Sequence, residues 1–166
     1  PDARSGNCNG RTQGGSNAEI VIADAFVKGL PNIDYHLALE AMLKDATIPP
    51  GGNEEAEGRG GLIPYLELGY IPYGIPRAGN RTIEYSYCDY TIALVAKGLG
   101  KTDLYQQYLK QSSNWKNLWR ADYEHAGVKG FILPRDKEGN WLDKIPFGNS
   151  HIQKPTFTYT PVTFEG

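Results

Sequence analysis

The sequence predicts a mainly α-helical fold that is built from pairs of inner and outer helices. Residues 16–28 are apolar at almost every position, as in a helix that is buried on all sides. Residues 82–97 are predicted to form a second helix, and after each of the two a tight glycine turn leads to an amphipathic helix. Pairs of this kind build an α/α toroid, commonly an (α/α)6 barrel. We therefore predict a fragment of such a barrel over residues 1–166, with a small β-hairpin near 131–142.

The first helix is predicted to begin at Ser16 or Asn17, because a short polar side chain can accept hydrogen bonds from the free N–H groups of the first turn. Glu19 then places a negative charge where the helix dipole favours it. Gly29 follows as a left-handed terminator. The preceding residues, 6–15, are polar and rich in glycine, so a loop of hydrogen-bonding groups is expected at the mouth of a buried helix.

The next segments follow from periodicity and composition. A second helix is predicted from Asn32 or Asp34 to about Asp45, with its apolar residues on one side. Residues 49–61 have the composition of a surface loop. Prolines then limit regular structure to a short helical turn over 65–68, followed by an extended aromatic segment.

The longest helix is predicted from Thr82 to about Lys97, with Thr82 or Asn80 as its cap and Gly98 closing it. Its apolar stripe is expected to consist of Ile83, Tyr87, Tyr90, Leu94 and Val95. This helix and its partner would repeat the arrangement of the first pair.

The remainder of the chain changes character. A shorter amphipathic helix is predicted over 103–112 and a helical turn over 113–119. Strands at 131–134 and 141–142, joined by a turn at 136–140, are expected to form the β-hairpin.

Composition excludes two classes of partner. The net charge is −2 and the basic residues are scattered, so a nucleic-acid-binding surface is not expected. No apolar run is long enough to span a bilayer, so no membrane segment is expected. Eleven tyrosines and three tryptophans suit sugar rings, whose C–H faces stack on aromatic planes, although tyrosine is also ordinary core material.

Three features concern the wider protein. The chain starts at Pro1 and stops without a helix end, so we expect a piece of a longer protein. An N-glycosylation sequence at 80–82 suggests that the parent is secreted or extracytoplasmic. Cys8 and Cys88 are expected to be free thiols, with a disulfide between them as the alternative. The oligomeric state does not follow from the sequence.

Six motifs span the chain in a specific order. They are GNCNGRTQGGSNAEIVIADAFVKGL, DYHLALEAMLKDA, YLELGYIP, RTIEYSYCDYTIALVAKGLGK, SNWKNLW and GFILPRDKEGNW. Together they resemble glycoside hydrolase family 92, and the closing KPTFTYTPVTFEG resembles its fungal or eukaryotic branch. The family consists of calcium-dependent, exo-acting α-mannosidases, many of which cleave α-1,2 links.

The resemblance implies a catalytic (α/α)6 barrel, normally preceded by a β-sandwich domain that these residues do not include. It also implies hydrolysis with inversion, which needs one carboxylic acid and one carboxylate base that activates water. Calcium would grip mannose hydroxyls through its preference for oxygen ligands. The acid, the base and the calcium ligands are expected beyond Gly166, so no metal ligand is assigned. Glu165 resembles the start of the acid motif and is the one catalytic candidate, although a similar segment precedes that motif in the fungal pattern.

The polar loop provides the first candidates for contact with an α-mannoside glycan. Asn7, Cys8, Arg11 and Asn17 lie in this loop, where amide and guanidinium donors fit sugar hydroxyls. The alternative is a loop that only caps and satisfies the inner helix, with Arg11 as a bridge to a carboxylate.

Three further candidates lie in the second half of the chain. Glu84 and Asp89 are on the long helix, with Glu84 nearer the end expected to face the pocket, and a structural salt bridge is the alternative for both. Arg135 could reach a pocket, or could be an ordinary charge in a surface turn.

Two functions fit the sequence. The first is an exo-α-mannosidase acting on N-glycans or mannan, of which this piece alone is inactive. The second is a non-catalytic helical scaffold or carbohydrate-binding module, or an inactive homologue with the same fold.

Overall fold

The computed structural model describes residues 17–51 and 58–141, which form five α-helices, one 3₁₀ helix and a two-stranded antiparallel sheet. The helices are α1 (Ala18–Val27), α2 (Tyr35–Thr47), α3 (Leu62–Leu68), α4 (Ala78–Gly98) and α5 (Thr102–Gln111). The 3₁₀ helix covers Asn114–Leu118, and the strands are β1 (Trp119–His125) and β2 (Val128–Ile132). Within these ranges no helix has the length and hydropathy needed to cross a bilayer. The mainly α-helical class is confirmed.

Two helix pairs, α1 with α2 and α4 with α5, share one hydrophobic core. Its buried residues are Ala23, Leu39, Met42, Ala46, Ile92, Ala93, Val95, Ala96 and Tyr108. The helices α1 and α4 run side by side in the same direction. Phe26, near the end of α1, touches Gly98 at the end of α4, and Glu19 and Asp89 of the two helices both bind Arg59. The prediction that the first helix is buried on all sides is not met by the described residues, because in α1 only Glu19 and Ala23 are buried and Val21 is 66% exposed. The complete barrel stays a prediction.

Both helix pairs are joined by the same kind of glycine turn. Each turn is a Schellman motif, in which two N–H groups beyond the helix donate back to carbonyl groups of its last turn. The left-handed residue is Gly29 after α1 and Gly100 after α4, with φ values of +66° and +72°. Gly29 was predicted to terminate its helix. The second terminator is Gly100 rather than Gly98, which is the last residue of α4.

The amino ends of α1 and α2 differ in how they are capped. Asp34 caps α2, because its Oδ1 accepts from the N–H groups of His36 and Leu37, both at 3.1 Å. The buried residues of α2 are Leu39, Met42 and Ala46, as its periodicity predicted. Asn17 occupies the N-cap position of α1 but its side chain makes no capping hydrogen bond. Ser16 lies outside the described residues.

Helix α4 begins at Ala78 rather than at Thr82, after Arg77 in the left-handed conformation at φ +60°. Thr82 is therefore not a cap: its hydroxyl donates to the carbonyl of Ala78 at 2.7 Å and accepts from the N–H of Ile71 at 2.9 Å. Asn80 lies inside the helix and is 6% exposed, so the glycosylation sequence is not accessible in this fold.

The apolar stripe predicted for α4 is mainly its exposed side. Tyr87 and Tyr90 are 51% and 42% exposed, and Ile83 and Leu94 are half-buried. The buried side carries, among others, Tyr85, Cys88, Asp89, Ile92, Val95 and Ala96. Of the predicted stripe only Val95 is in the core. Periodicity was misleading here because apolar side chains occur on almost every side of this helix.

Residues 59–61 are buried, although the composition of 49–61 predicted a surface loop. Arg59 is fully buried, and Gly60 and Gly61 are also buried. The following helix α3 is longer than the predicted turn at 65–68. Its residues Leu62 and Tyr65 pack with Ile71 and Tyr85 in a second, smaller core.

The β-hairpin lies earlier in the chain than predicted. β1 and β2 pair antiparallel, with Trp119 opposite Ile132 and His125 opposite Val128. The sequence of β1, WRADYEH, is mostly polar and five of its seven residues are exposed. It therefore lacks the alternation of apolar and polar residues from which a strand is predicted.

The turn predicted at 136–140 is present, but it does not join two strands. The N–H of Asp136 donates to the carbonyl of Asn140 at 3.0 Å. A single isolated bridge, between Arg135 and Trp141, flanks this turn. The predicted position of the β-hairpin, 131–142, is thus wrong, whereas the turn predicted within it is present.

Candidate functional site

A buried cluster of charged residues joins the two inner helices. Arg59 Nη1 lies 2.7 Å from Oδ1 of Asp89 on α4, and Nη2 lies 3.1 Å from Oε1 of Glu19 on α1. The side chains of Asp89 and Glu19 are each 1% exposed. Arg59 Nε lies 3.8 Å from Oδ2 of Asp45, which is half-buried near the end of α2. One guanidinium therefore ties three helices together.

Two tyrosines complete this cluster. The hydroxyl of Tyr65 donates to Oδ2 of Asp89 at 2.8 Å, so both carboxylate oxygens of Asp89 are bound within the protein. The Arg59 Cζ lies 5.1 Å from the ring centre of Tyr85, whose hydroxyl donates to the carbonyl of Gly60 at 3.1 Å. Because the buried charges are paired and hydrogen-bonded, their removal from water is compensated.

Burial and pairing shift the pKa values in this cluster. Burial lowers the pKa of Arg59, but the charges of Asp89 and Glu19 outweigh burial and hold that pKa well above its ordinary value. Burial raises the pKa of the Asp89 carboxyl, opposed by the charge and hydrogen bonds of Arg59 and by the hydroxyl of Tyr65. Burial also raises the pKa of Tyr65, and it raises the pKa of Tyr108 to about 12. These tyrosines therefore stay protonated at neutral pH.

The polar loop predicted to contact substrate falls almost entirely outside the described residues. Asn7, Cys8 and Arg11 lie there, as does Glu165, and their roles stay predictions. Asn17 is described: it is exposed and immediately precedes α1. Two residues later the chain is held by the ion pair of Glu19, so the Arg59 cluster anchors the helix that follows this loop.

Glu84 and Asp89 share α4 but have different surroundings. Asp89 forms the structural salt bridge that was its alternative role, and its partner Arg59 was not predicted. Glu84 is half-buried near the amino end of α4, and within the part of the chain that is described it accepts no hydrogen bond. Burial raises the pKa of Glu84. Of the two carboxylates, Glu84 is the one open to a ligand.

Arg135 lies in the turn after β2, beside the connection that leads into α4. Its backbone carbonyl accepts from the N–H of Tyr73 at 2.7 Å. Its guanidinium stacks over Trp141, with Cζ 4.1 Å from the ring centre. Tyr73 belongs to the connection over 69–77, which ends at the start of α4. Arg135 therefore lies towards the amino end of this helix, as does Glu84.

Sequence reasoning missed Arg59, which is the most buried charge in the described residues. The one available signal was indirect. Glu19 and Asp89 each interrupt a largely apolar helix, and a buried carboxylate requires a partner. Nothing in the segment GRGG indicated that the partner would be its arginine.

An open groove of about 340 Å³ runs along the exposed side of α4. It is lined by Ile83, Ser86, Tyr87, Tyr90, Ser112 and Trp115. Four of these side chains are aromatic or aliphatic and two are serines, and they belong to α4, to the residue after α5 and to the 3₁₀ helix. The groove is therefore continuous with the apolar stripe of the inner helix.

The described residues do not fit calcium. Within residues 17–51 and 58–141, no group of three or more His, Cys, Asp or Glu side chains could hold a metal ion. The carboxylates of Glu19, Asp89 and Asp45 do converge, but the Arg59 guanidinium lies between them and supplies the positive charge. A divalent cation would have to replace this buried arginine.

The geometry supports binding rather than bond cleavage by these residues alone. An inverting glycosidase requires two carboxyl groups about 6.5–9.5 Å apart, with room for water between them. In the described parts of α1 and α4, Glu84 is the one carboxylate that makes no bond to the protein. One open carboxylate and one stacked arginine are groups suited to holding sugar hydroxyls.

Residues 1–162 match the model of the glycosyl hydrolase family 92 catalytic domain. The chain belongs to glycosyl hydrolase family 92. The family inferred from the six sequence motifs is thereby confirmed.

Solved members of family 92 share this fold. A family GH92 inverting mannosidase from Bacteroides thetaiotaomicron is 34% identical, with a TM-score of 0.71 over 82% of this chain and 18% of its own. A family GH92 α-mannosidase from the same organism, in complex with mannoimidazole, is 32% identical, with a TM-score of 0.67 over 85% of this chain and 17% of its own.

A further protein of known sequence is also similar. An uncharacterized secreted glycosidase from Arthroderma benhamiae is 44% identical over 168 aligned residues, which cover 92% of this chain and 21% of that protein. The chain thus spans about a fifth of the length of the relatives it matches.

Proposed function

We propose that the parent protein is an exo-acting α-mannosidase that releases terminal mannose from N-glycans or mannan with inversion, with α-1,2 links as preferred substrates. The observation that carries this proposal is the similarity to two mannosidase structures, one of them an inverting enzyme, over more than four-fifths of the chain. Mannoimidazole in one of these structures is consistent with a mannose-binding site in that relative.

In this proposal the chain supplies two helix pairs of an (α/α)6 barrel. The parallel α1 and α4, each followed by a Schellman turn and an outer helix, support this architecture. The Arg59 cluster holds the two inner helices in register. The amino ends of the inner helices then form one wall of the mannose site.

The residues proposed to bind the terminal mannose are grouped at that wall. Asn7, Cys8, Arg11 and Asn17 belong to the loop before α1, and Glu84 lies towards the amino end of α4. Arg135 lies on the turn after β2, beside the connection that leads into α4, and would contact the glycan beyond the terminal mannose. Glu84 would accept hydrogen bonds from mannose hydroxyls, because its carboxylate is open and partly desolvated. Asp89 contributes by holding Arg59, since both of its oxygens are bound.

The general acid, the general base and the calcium ligands come from the rest of the parent protein in this proposal. The chain spans about a fifth of its relatives, which leaves ample sequence for these groups. Calcium would bind mannose hydroxyls from there. Glu165 remains a candidate acid that lies outside the described residues. We also propose a secreted parent, in keeping with the secreted glycosidase of Arthroderma benhamiae.

The experiment is hydrolysis of α-1,2-mannobiose by the full-length protein, followed by proton NMR. The expected product is β-mannose in the first minutes, before mutarotation, because water attacks the face opposite the leaving group. A chelator is expected to abolish activity and added calcium to restore it. First-formed α-mannose would contradict inversion, and chelator-resistant activity would contradict the role of calcium.

The alternative is a non-catalytic scaffold, a carbohydrate-binding module or an inactive homologue. The same assay distinguishes them: a folded full-length protein that binds mannobiose but releases no mannose would be a binding module. A coding sequence without the paired carboxylates beyond Gly166 would also favour this alternative.

A further inference from the structure

The guanidinium of Arg135 lies close to two aromatic rings. Its Cζ is 4.1 Å from the ring centre of Trp141 and 6.0 Å from that of Tyr70. Such distances are within the range of cation–π attraction. The hydroxyl of Tyr70 donates to the carbonyl of Asp136 at 2.8 Å, which fixes this ring against the turn. The guanidinium is therefore held in place by stacking.

Within the residues that the structure describes, no group accepts a hydrogen bond from the side chain of Arg135. Nε of Arg135 is buried without a hydrogen-bond partner, and no carboxylate of the described residues lies within salt-bridge distance of the side chain. The neighbouring Asp136 is satisfied differently, because its two oxygens accept from the N–H and the side-chain amide of Asn140 at 2.8 and 3.0 Å. Arg59, in contrast, is surrounded by three carboxylates.

A stacked arginine with free donors beside an indole ring suits a sugar. Guanidinium N–H groups lie in one plane and can reach two neighbouring hydroxyls at once. The exposed parts of the aromatic rings can contact the C–H face of the same sugar. Arg135 and Trp141 both remain partly exposed, so a ligand could reach them.

The charges around this platform favour a neutral ligand over an anion. Arg120 lies 5.7 Å from the ring centre of Trp141, and its Nε lies 3.5 Å from Asp122. Lys137 pairs with Glu138 at 3.7 Å. When Asp136 and Arg135 are included, the positive and negative groups around this turn are equal in number. A phosphate or carboxylate would meet no net positive charge here.

We propose that Arg135 and Trp141 bind a neutral sugar residue of the substrate glycan on the leaving-group side of the scissile bond. This inference rests on the proposed α-mannosidase function and adds a second sugar subsite to it. The platform lies on a turn beyond the amino end of α4, beside the 69–77 connection. That position at the rim suits a sugar that follows the terminal mannose, which an exo-acting enzyme must enclose.

The test compares two substrates of the full-length protein. Linear α-mannotriose reaches the leaving-group side, whereas α-mannosyl fluoride has one sugar and occupies the terminal site alone. Arg135→Met is expected to lower kcat/KM for mannotriose about five- to twentyfold, mainly through KM, because one or two charge-assisted hydrogen bonds are lost. The same variant is expected to change kcat/KM for the fluoride less than about twofold.

Two further variants make the result specific. Lys137→Met removes an exposed cation of the same turn and is expected to leave kcat/KM unchanged for both substrates. Arg135→Lys keeps the charge but not the planar guanidinium group. Its kcat/KM for mannotriose is therefore expected to lie between the values of the wild type and of Arg135→Met. Thermal unfolding of each variant verifies that the fold is retained, and Arg135→Lys keeps the test valid if Arg135→Met does not fold.

Four results would overturn the inference. Equal losses for both substrates would mean that Arg135 is purely structural, and no loss for either would mean that it does not touch the glycan. Tighter binding of a 6-phosphorylated mannobiose than of the neutral disaccharide, lost in Arg135→Met, would make the site an anion site. A wild-type protein that hydrolyses neither substrate would refute the proposed function and this inference together. If the wild type is active and Arg135→Met leaves the ratio of kcat/KM for the two substrates unchanged, the inference alone is refuted.

Discussion

At the scale of single residues, Arg59 has the largest structural consequence. It is fully buried and its donors reach carboxylates from three helices. The ion pairs of Arg59 are not in themselves a source of great stability, since the cost of removing the charges from water nearly cancels their attraction. Its effect is to require that α1, α2 and α4 come together in one arrangement, because any other would leave a buried charge unpaired.

We expect Arg59→Met to destabilise the full-length protein by about 3–5 kcal/mol, because two buried carboxylates would lose their counter-charge. Chemical denaturation monitored by tryptophan fluorescence measures this change. Lys28→Met is the matched control, since the Lys28–Asp24 pair at 2.7 Å is largely exposed and is expected to be worth less than about 1 kcal/mol. Similar losses in the two variants would contradict the importance of the buried cluster.

Glu84 gives a prediction about pH. Burial raises the pKa of Glu84 in the folded protein above its ordinary value of 4.5. The folded state thus binds this proton more tightly, so the contribution of Glu84 to stability is full below the ordinary pKa and is lost as the pH rises through the folded pKa. At neutral pH its charged form opposes folding.

Glu84→Gln is therefore expected to stabilise the full-length protein at pH 7 by less than about 1 kcal/mol, since water still screens this half-buried group. The advantage should disappear below about pH 4. The same variant should bind mannosides more weakly, because a carboxylate acceptor is lost. The measurement is unfolding free energy against pH, with Glu67→Gln on the exposed side of α3 as control. A stability difference between Glu84→Gln and the wild type that grows towards low pH would contradict the raised pKa of Glu84.

At the scale of elements, the contact between α1 and α4 depends on a glycine. The ring of Phe26 lies where a β-carbon at Gly98 would be. Glycine in a helix normally weakens it by about 1 kcal/mol relative to alanine, so its presence here requires a packing reason. The close approach of the two inner helices is that reason.

Gly98→Ala is expected to destabilise the full-length protein by about 1–3 kcal/mol, because overpacking exceeds the gain in helix propensity. Phe26→Leu in the same chain should recover part of the loss by removing ring atoms from the contact. The control is Gly51→Ala, where a β-carbon would meet nothing within 4 Å. Thermal unfolding compares the four proteins, and a stabilised Gly98→Ala would show that the helices do not pack as described.

The prediction of elements succeeded where local chemistry determines them. The start of α2 was predicted at Asn32 or Asp34, of which Asp34 is the cap, and Gly29 marked the end of α1. The start of α4 failed because Arg77 adopts a left-handed conformation that its sequence does not signal. The hairpin failed for a different reason: a mostly polar strand such as β1 is defined by its partner, not by its own pattern.

At the scale of the whole molecule, the exposed apolar side of α4 is the main observation. Tyr87 and Tyr90, with 51% and 42% of their surface exposed, line the groove of about 340 Å³. An inner helix of a barrel would have both sides covered by neighbouring helices. The proposed barrel thus predicts that this surface is buried in the full-length protein.

Tyr87→Ser is expected to destabilise the full-length protein by about 2–4 kcal/mol, as large-to-small changes in a core do. Leu37→Ser on α2 is the matched control, because Leu37 is also exposed, at 62%, but lies on an outer helix. We expect a change of less than about 0.5 kcal/mol there. Equal, small effects at both positions would mean that α4 is not an inner helix.

The sequence by itself determined the family, the helical class, the pairing of helices through glycine turns and the cap of α2. These features depend on residues that are neighbours along the chain or on motifs that recur in the family. The tertiary structure alone decided that Arg59 is buried between Glu19 and Asp89, that Tyr87 is exposed while Tyr85 is not, and that Arg135 stacks on Trp141. Each of these depends on contacts between segments distant in sequence, and an apolar or charged side chain does not reveal its partner until the chain has folded.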